Sequence, residues 1–265
     1  IAEGGILEVG ESMAGNTAFT TLQTTSEVTT RIDGRLDSQS RNTSLIFADR
    51  LETGTSGFVD AIRLEAETVE INGRLVLQNG RSDEAGILNI IDGELTVQSA
   101  TAPDFEISEI TSLASLLMPD GLFGGSPQDE LFEGISMPNL ELNQLTGMVN
   151  GFVNNGAVRF RNSNAQTLAF DLQSDASNQA YTGGAGSFLS VEGAANVGGN
   201  VSLNQGALWQ QLGDLSIVGN FNQAGGRLLV LGNVNITNDV TIGGAAETLI
   251  TGNFIGPDNL TIDGT

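Results

Sequence analysis

A glycine recurs along the first hundred residues at an almost constant interval, and that interval constrains the fold more than any other feature. Gly15, Gly34, Gly54, Gly73 and Gly93 follow one another at a step of about 20 residues. Three of them sit in phrases that align without gaps: Ile32-Asp33-Gly34-Arg35-Leu36, Ile71-Asn72-Gly73-Arg74-Leu75 and Ile91-Asp92-Gly93-Glu94-Leu95. Each phrase is followed by a glutamine, at Gln39, Gln78 and Gln98. Leu51-Glu52-Thr53-Gly54-Thr55 and Ala14-Gly15-Asn16 are weaker copies. A fixed period of this length marks a repeat architecture in which each unit packs mainly on its neighbours.

The last third of the chain carries a cognate phrase, apolar-x-Gly-Asn-apolar. It occurs at Val197-Gly198-Gly199-Asn200-Val201, Ile217-Val218-Gly219-Asn220-Phe221, Val230-Leu231-Gly232-Asn233-Val234 and Ile250-Thr251-Gly252-Asn253-Phe254. From Gly199 to Gly219 and from Gly232 to Gly252 the same period holds, but the step from Gly219 to Gly232 is much shorter. The short step leaves two readings open, a trimmed turn or a copy out of phase.

Around these glycines the local period is two. Ile62, Leu64 and Ala66 alternate with Arg63, Glu65 and Glu67; Val201 and Leu203 alternate with Ser202 and Asn204. Such alternation turns one set of side chains inward along a short strand. A unit of two or three short strands buries its apolar face only by stacking on the next unit, at about 4.8 Å per rung. Columns Ile32/Ile71/Ile91 and Leu36/Leu75/Leu95 are then expected inside, with Asn200, Asn220, Asn233 and Asn253 as an amide ladder at a turn. The composition agrees: aromatic residues are only 5%, so Val, Ile, Leu and Ala must fill the core, and 35 Gly against 5 Pro is no disordered tract.

These repeats resemble the haemagglutinin-type β-helix repeats of large secreted bacterial adhesins, the filamentous-haemagglutinin and autotransporter-passenger families. The resemblance rests on the period and on phrases such as Gly232-Asn233-Val234-Asn235-Ile236-Thr237 and Asp239-Val240-Thr241-Ile242-Gly243-Gly244. It implies a right-handed parallel β-helix on a cell surface; the strong acidity and a long interruption depart from the family pattern. The expected fold is therefore all-β, a parallel β-solenoid with rungs of about 20 residues over 1–100 and 151–265, with an irregular, partly helical insertion at 101–150. Within that insertion Ile107, Ile110, Leu113 and Leu117 follow helical spacing behind Asp104 and Glu106, and Met118-Pro119-Asp120-Gly121 ends the run. The insertion is expected to pack on the solenoid flank, or else to protrude and dock on a ligand or a neighbouring copy.

Charge and missing residue types narrow the function. The net charge is −22, with 24 acidic and 7 basic residues in 1–150 against 8 and 3 in 151–265; every basic residue is Arg. Such a surface repels nucleic acid and anionic lipid. With no Cys and no His there is no thiol nucleophile, disulfide or imidazole metal site, and cysteine avoidance is compatible with export. No run of about 18 apolar residues offers a membrane span. The chain opens at Ile1 without a leader-like segment and closes within a repeat-like phrase, so it is expected to be a processed or excised piece of something longer.

Catalysis is not expected. Asp33 and Asp92, which precede the turn glycine, lie about three rungs or roughly 14 Å apart, too far to share a glycosidase centre. Arg35 and Arg74 follow the turn glycine as the bases a lyase would need, and Asn72, the rung neighbour expected for Asp92, is an amide and no general base. The Ca²⁺ repeat Gly-Gly-x-Gly-x-Asp is approached at Gly183-Gly184-Ala185-Gly186-Ser187, then Phe188 replaces the Asp. Ser82-Asp83-Glu84 is an acidic turn suited at most to a weak structural Ca²⁺, so no cofactor, no catalytic residue and no defined metal ligand is assigned. Asn42, Asn200, Asn235 and Asn259 begin Asn-x-Ser/Thr triplets of the kind expected by chance in such a chain. The expected function is a structural or adhesive extracellular surface protein, a rod serving as adhesin stalk or as subunit of a fibre, layer or matrix. Its expected partners are further copies or its own continuation, and surface glycans or a host or neighbouring cell surface. The alternative is a carbohydrate-binding or polysaccharide-degrading β-helix, for which Tyr181 and Trp209 are the only large amphipathic rings.

Overall fold

The computed structural model describes residues 6–9, 20–23, 29–38, 44–54, 57–61, 63–77, 87–97, 139–142, 144–160, 170–174 and 178–263. All of its regular elements are strands, and each coil of chain lies on the last. The first coil comprises β1 (Ile6–Val9), β2 (Thr20–Gln23) and β3 (Thr29–Ile32). In the next four coils a short strand leads into a long one. These are β4 (Arg35–Ser38) with β5 (Ser44–Thr53), β6 (Phe58–Ala61) with β7 (Arg63–Ile71), β8 (Arg74–Leu77) with β9 (Ile87–Val97), and β10 (Leu140–Leu142) with β11 (Gln144–Asn154).

From there each coil has three short strands. β12 (Ala157–Phe160), β13 (Phe170–Gln173) and β14 (Gln179–Gly183) form one, and β15 (Phe188–Glu192), β16 (Ala195–Gly198) and β17 (Asn200–Leu203) the next. Then come β18 (Leu208–Leu212), β19 (Leu215–Ile217) and β20 (Phe221–Gln223). β21 (Gly226–Val230), β22 (Val234–Ile236) and β23 (Val240–Ile242) follow, and β24 (Ala246–Ile250), β25 (Phe254–Ile255) and β26 (Leu260–Ile262) complete the stack.

The first strand of every coil joins a ten-stranded parallel sheet, the first wall. The remaining sixteen strands form one sheet bent into two walls. Its bend lies within the long strands: β13 pairs with Leu145 near the start of β11, whereas β14 pairs with Phe152, Val153 and Asn154 at its end. This is the expected parallel β-solenoid. Its last coils keep the period closely, as Phe188, Leu208 and Arg227 succeed each other in one column and Gly226 and Ala246 in the next pairing.

The core is built as the alternation requires. Leu189, Val191, Trp209, Leu228 and Val230 from the first wall meet Val197, Leu215, Ile217, Val201, Leu203 and Phe221 from the other two, and all belong to one buried cluster. Each large aliphatic or aromatic chain removed from water contributes about 1.5–3 kcal/mol. The first wall is also buried on its other face. Phe188, Leu208 and Leu229 point away from the core cluster yet are only 1%, 9% and 5% exposed. Continuous apolar runs such as Leu228-Leu229-Val230 are what a sheet buried on both faces demands.

Three expectations change. The solenoid resumes at Leu140, inside the 101–150 segment expected to interrupt it, because β10 pairs with β8 and β11 with β9. The helix expected within that insertion lies outside the described residues. The column Ile32/Ile71/Ile91 holds for its first two members, separated by Thr53, but Val97 and not Ile91 follows Ile71. Likewise Leu36 and Leu75 share a first-wall column through Val59, whereas Leu95 follows Val69 on the sixteen-stranded sheet. The third phrase is a true sequence copy set on a different wall, since the bend in β9 falls where Gly93 lies, opposite Val149.

Candidate functional site

The glycines and amides of the repeat concentrate at the corners. At the corner between the third and first walls the backbone N–H of one coil donates to the carbonyl of the coil before. Gly54 donates to Ile32, Asn72 to Thr53, Asn155 to Val97, Gly184 to Asn154, Asn204 to Gly183, Ala224 to Leu203 and Gly243 to Gln223, all at 2.7–3.2 Å. Gly34, Gly54 and Gly73 share this corner, as their period predicts, and a Cβ on Gly73 would lie 2.2 Å from the Gly57 carbonyl oxygen.

The other two corners explain the short step of the second phrase. Gly199 and Gly219 stack between the second and third walls, where a Cβ on Gly219 would meet the Gly199 carbonyl oxygen at 2.4 Å. Gly213, Gly232 and Gly252 stack between the first and second walls, with the same close approach of successive backbones. The phrase is thus out of phase and not trimmed: one short motif serves two corners.

The expected single amide ladder is two ladders. At the first-to-second corner Asp214 Oδ1 accepts from the Asn233 backbone N–H (2.8 Å) and amide (3.0 Å), and Asn233 Oδ1 accepts from the Asn253 N–H (2.9 Å). At the second-to-third corner Asn200 Oδ1 accepts from the Asn220 N–H (2.9 Å), Asn220 Oδ1 from the Asp239 N–H (3.2 Å), and Asp239 Oδ1 from the Asn259 amide (2.7 Å). A corner breaks the strand-to-strand hydrogen bonding, and a short polar side chain supplies the missing acceptor. Asp214, Asp239 and Asn259 stand outside the Gly-Asn phrase. In the sequence Gly213-Asp214-Leu215 is a Gly-Asp variant of that phrase, and Asp239-Val240-Thr241-Ile242 and Asn259-Leu260-Thr261-Ile262 are copies of one another one repeat apart.

Tyr181 and Trp209 are not surface platforms. Tyr181 is 1% and Trp209 0% exposed, inside the core, and the rings of Phe152, Tyr181 and Trp209 form an edge-on series with centroids 5.2 Å apart. Their polar tips are satisfied internally. Asn154 donates to the Tyr181 hydroxyl (3.2 Å) and to the Phe188 carbonyl (3.0 Å), and the Trp209 indole N–H donates to Gln211 (3.3 Å). Burial pushes the Tyr181 phenol well above its ordinary range, against a smaller lowering from Asn154.

The charged residues considered for chemistry are dispersed. Asp33 accepts from the Arg31 guanidinium (2.9 Å), and that pairing holds the Arg31 pKa raised, with Glu52 adding to it. Asp92 lies within β9 three coils further on. Asn72 is not the rung neighbour of Asp92, because the residue before it, Ile71, pairs with Val97. Arg74 lies over the Phe58 ring at 5.5 Å, Arg35 stands opposite Phe58, and Arg159 pairs with Glu192 at 2.9 Å. Among the described residues no three Asp, Glu, His or Cys side chains gather as metal ligands. Ser82-Asp83-Glu84 lies outside the described residues. On the second wall an open groove of about 450 Å³ runs along Asn196, Asp214, Ser216, Asn233 and Asn235. No known family model matches this chain, and no curated protein or solved structure is significantly similar to it.

Proposed function

We propose that the chain is a structural and adhesive segment of an extracellular surface protein. It is a stiff β-helical column working as an adhesin stalk or as the subunit of a fibre, layer or matrix, at the cell surface, without catalysis or cofactor beyond a weak structural Ca²⁺. The observation that carries this reading is the use of the most regular polar side chains. Asn200, Asn220, Asp214 and Asn233 join coil to coil and are committed to rigidity. The resemblance to haemagglutinin-type repeats supports a bacterial secreted setting.

Retention of the chain on immobilised cell surfaces or surface glycans, with no release of reducing or unsaturated ends from acidic or neutral polysaccharides, is the expected result. Release of such ends would remove the reading. A second reading, carbohydrate binding, is favoured by the amide-lined groove at Asn196, Ser216 and Asn235. Substituting all three by Ala tests it: loss of glycan retention assigns binding to the groove, and unchanged retention places it elsewhere.

A further inference from the structure

We propose that the outward face of the first wall is a docking surface whose occupant is residues 98–138 of the same chain. The proposal stands apart from the adhesive reading and says which wall is closed to other molecules.

In the coils from β12 to β23 the three walls differ on their outward faces. Asn222 on the third wall and Asn235 on the second are exposed. On the first wall two outward columns are buried: Phe188 (1% exposed) beside Leu208 (9%), and Ser190 (0%) beside Gln210 (2%) and Leu229 (5%). Arg159, opposite Ser190, is itself only 7% exposed. Neighbours in a sheet shield each other's flanks but leave the tips open, so side chains this deep need a layer above them. The patch from β12 to β21 spans three coil steps, roughly 14 Å.

Chain length and the points of exit and return identify the occupant. At the third-to-first corner the other coils turn in two to four residues, whereas 41 residues outside the described ones separate Val97 from Asn139. Both ends are held beside the first wall. The Val97 carbonyl accepts from the Asn155 N–H (2.8 Å), and the Asn139 N–H donates to the carbonyl of Ala157 on that wall (2.8 Å). From β10 to β21 is four coil steps, roughly 19 Å, and an extended chain of this length reaches several times as far. The connections 78–86 and 161–169, also outside the described residues, have nine residues each. Their reach of about 30 Å is used up by one crossing of the patch and back.

Composition points the same way. Residues 98–138 carry Phe105, Ile107, Ile110, Leu113, Leu116 and Leu117, an apolar complement to Phe188, Leu208 and Leu229. They include seven acidic residues and no basic one, whereas Arg74, Arg159 and Arg227 stand in the outward columns of the first wall. Apolar burial supplies the affinity, and opposite charges fix the orientation. The second and third walls are then the faces left to partners.

The test uses the full chain, with Phe123 replaced by the photo-cross-linker p-benzoylphenylalanine in a mixture of heavy-isotope and unlabelled molecules. Irradiation is expected to join this position to peptides containing 157–160, 188–192, 208–212 or 227–231 of the same molecule. Cross-links between a heavy and a light molecule would make a second copy the occupant and overturn the proposal. Cross-links confined to the second or third wall, or none at all, would overturn it too. The absence of cysteine allows a second measurement. Leu208→Cys should react with a maleimide about tenfold faster once Leu113, Leu116 and Leu117 are changed to Ser, while Asn235→Cys keeps its rate. An unchanged rate at position 208 sinks the proposal. Unaltered Trp209 emission shows that the core behind Leu208 stays folded; were it lost, the cross-link, which needs no destabilising change, decides alone.

Discussion

The coils between Phe188 and Ile262 and those between Arg35 and Val97 are the same fold held by different means. In the later coils the first wall recurs at a nearly constant step, three short strands make each coil, and Asn and Asp side chains bridge the corners. In the earlier coils the step from Arg35 to Phe58 is longer than that repeat and the step from Phe58 to Arg74 shorter. Two walls merge there into strands of 9–11 residues. Outside, ion pairs stitch Arg31 of the first coil to Glu52 and Arg50 to Glu70, as Arg227 joins Glu247 in the later coils, and at the corner the Thr53 hydroxyl, in place of an amide, accepts from the Asn72 and Gly73 N–H groups. Backbone ladders tolerate coils of unequal length, because loops absorb the difference. Side-chain ladders at corners do not, since each acceptor must stand one coil below its donor. Constant period is therefore a requirement of the corner amides and not of the solenoid.

The largest expected effect separates the two regions by their cores. Trp209 and Tyr181 are the chain's only Trp and Tyr; Trp209 lies within the later coils and Tyr181 in the coil just before them, so their spectra report that region alone. Trp209→Ala should cost about 3–5 kcal/mol, through lost burial and the cavity left behind. Hydrogen exchange should show the cost in 180–262 before it appears in 44–77; equal loss in both would make the stack one cooperative unit and dissolve the comparison. The same core responds to pH. Burial raises the folded pKa of Tyr181 above the unfolded value of about 10. The folded state then holds a proton that the unfolded state releases, so stability is complete below about pH 10 and falls as pH rises past it. Tyr181→Phe should flatten that alkaline arm, and phenolate absorbance in the parent chain should appear only with unfolding.

That dependence on register decides what is legible in the sequence. Gly34, Gly54 and Gly73 announce a shared corner, and the structure places them there. Gly93 keeps the spacing but not the wall, because the coil from β7 to β9 has a register shift after Ala66, and a linear period cannot see an insertion compensated by a bend. The amides are half legible: Asn200 with Asn220 and Asn233 with Asn253 are neighbours, but the short step between the two pairs conceals that they belong to two corners. Alternation implies one face in and one face out, so it hides the second buried face of the first wall. The runs Phe188-Leu189 and Leu208-Trp209 carry the contrary signal. A lone Trp, in the sequence a candidate sugar platform, fills the core, where its volume outweighs its one polar atom.

The middle-sized effects test whether corner geometry is shared. Gly219→Ala forces a Cβ to within 2.4 Å of a backbone oxygen that cannot swing away, and Gly73→Ala does the same at 2.2 Å. Both should cost about 1–3 kcal/mol, the range of overpacked sites, in thermal or denaturant melts. Gly256, with nothing within 4 Å of its added Cβ, is the control, where Ala should be neutral or mildly stabilising. If Gly73→Ala were as silent as Gly256→Ala, the earlier coils would lack the tight corner that unites the two regions. Asn220→Ala should cost about 1 kcal/mol, the net value of a hydrogen bond, by removing the acceptor for the Asp239 N–H. Asn220→Asp keeps an acceptor and should recover most of it.

The smallest effect bears most directly on the difference between the regions. Arg50 and Glu70 are 49% and 29% exposed, so their pair at 3.0 Å is screened by water and salt, and removing either partner should change stability by about 0–1 kcal/mol. The informative quantity is the salt dependence. Whatever Arg50→Ala costs in dilute buffer should vanish at 1 M salt, where the screening length is about 3 Å. The Asn220→Ala cost should persist there, because an amide-to-backbone bond carries no net charge to screen. A double-mutant cycle on Arg50 and Glu70 showing a coupling unchanged by salt would mean that the earlier coils, too, rest on fixed hydrogen-bond geometry, and the contrast between stitched and laddered coils would fail.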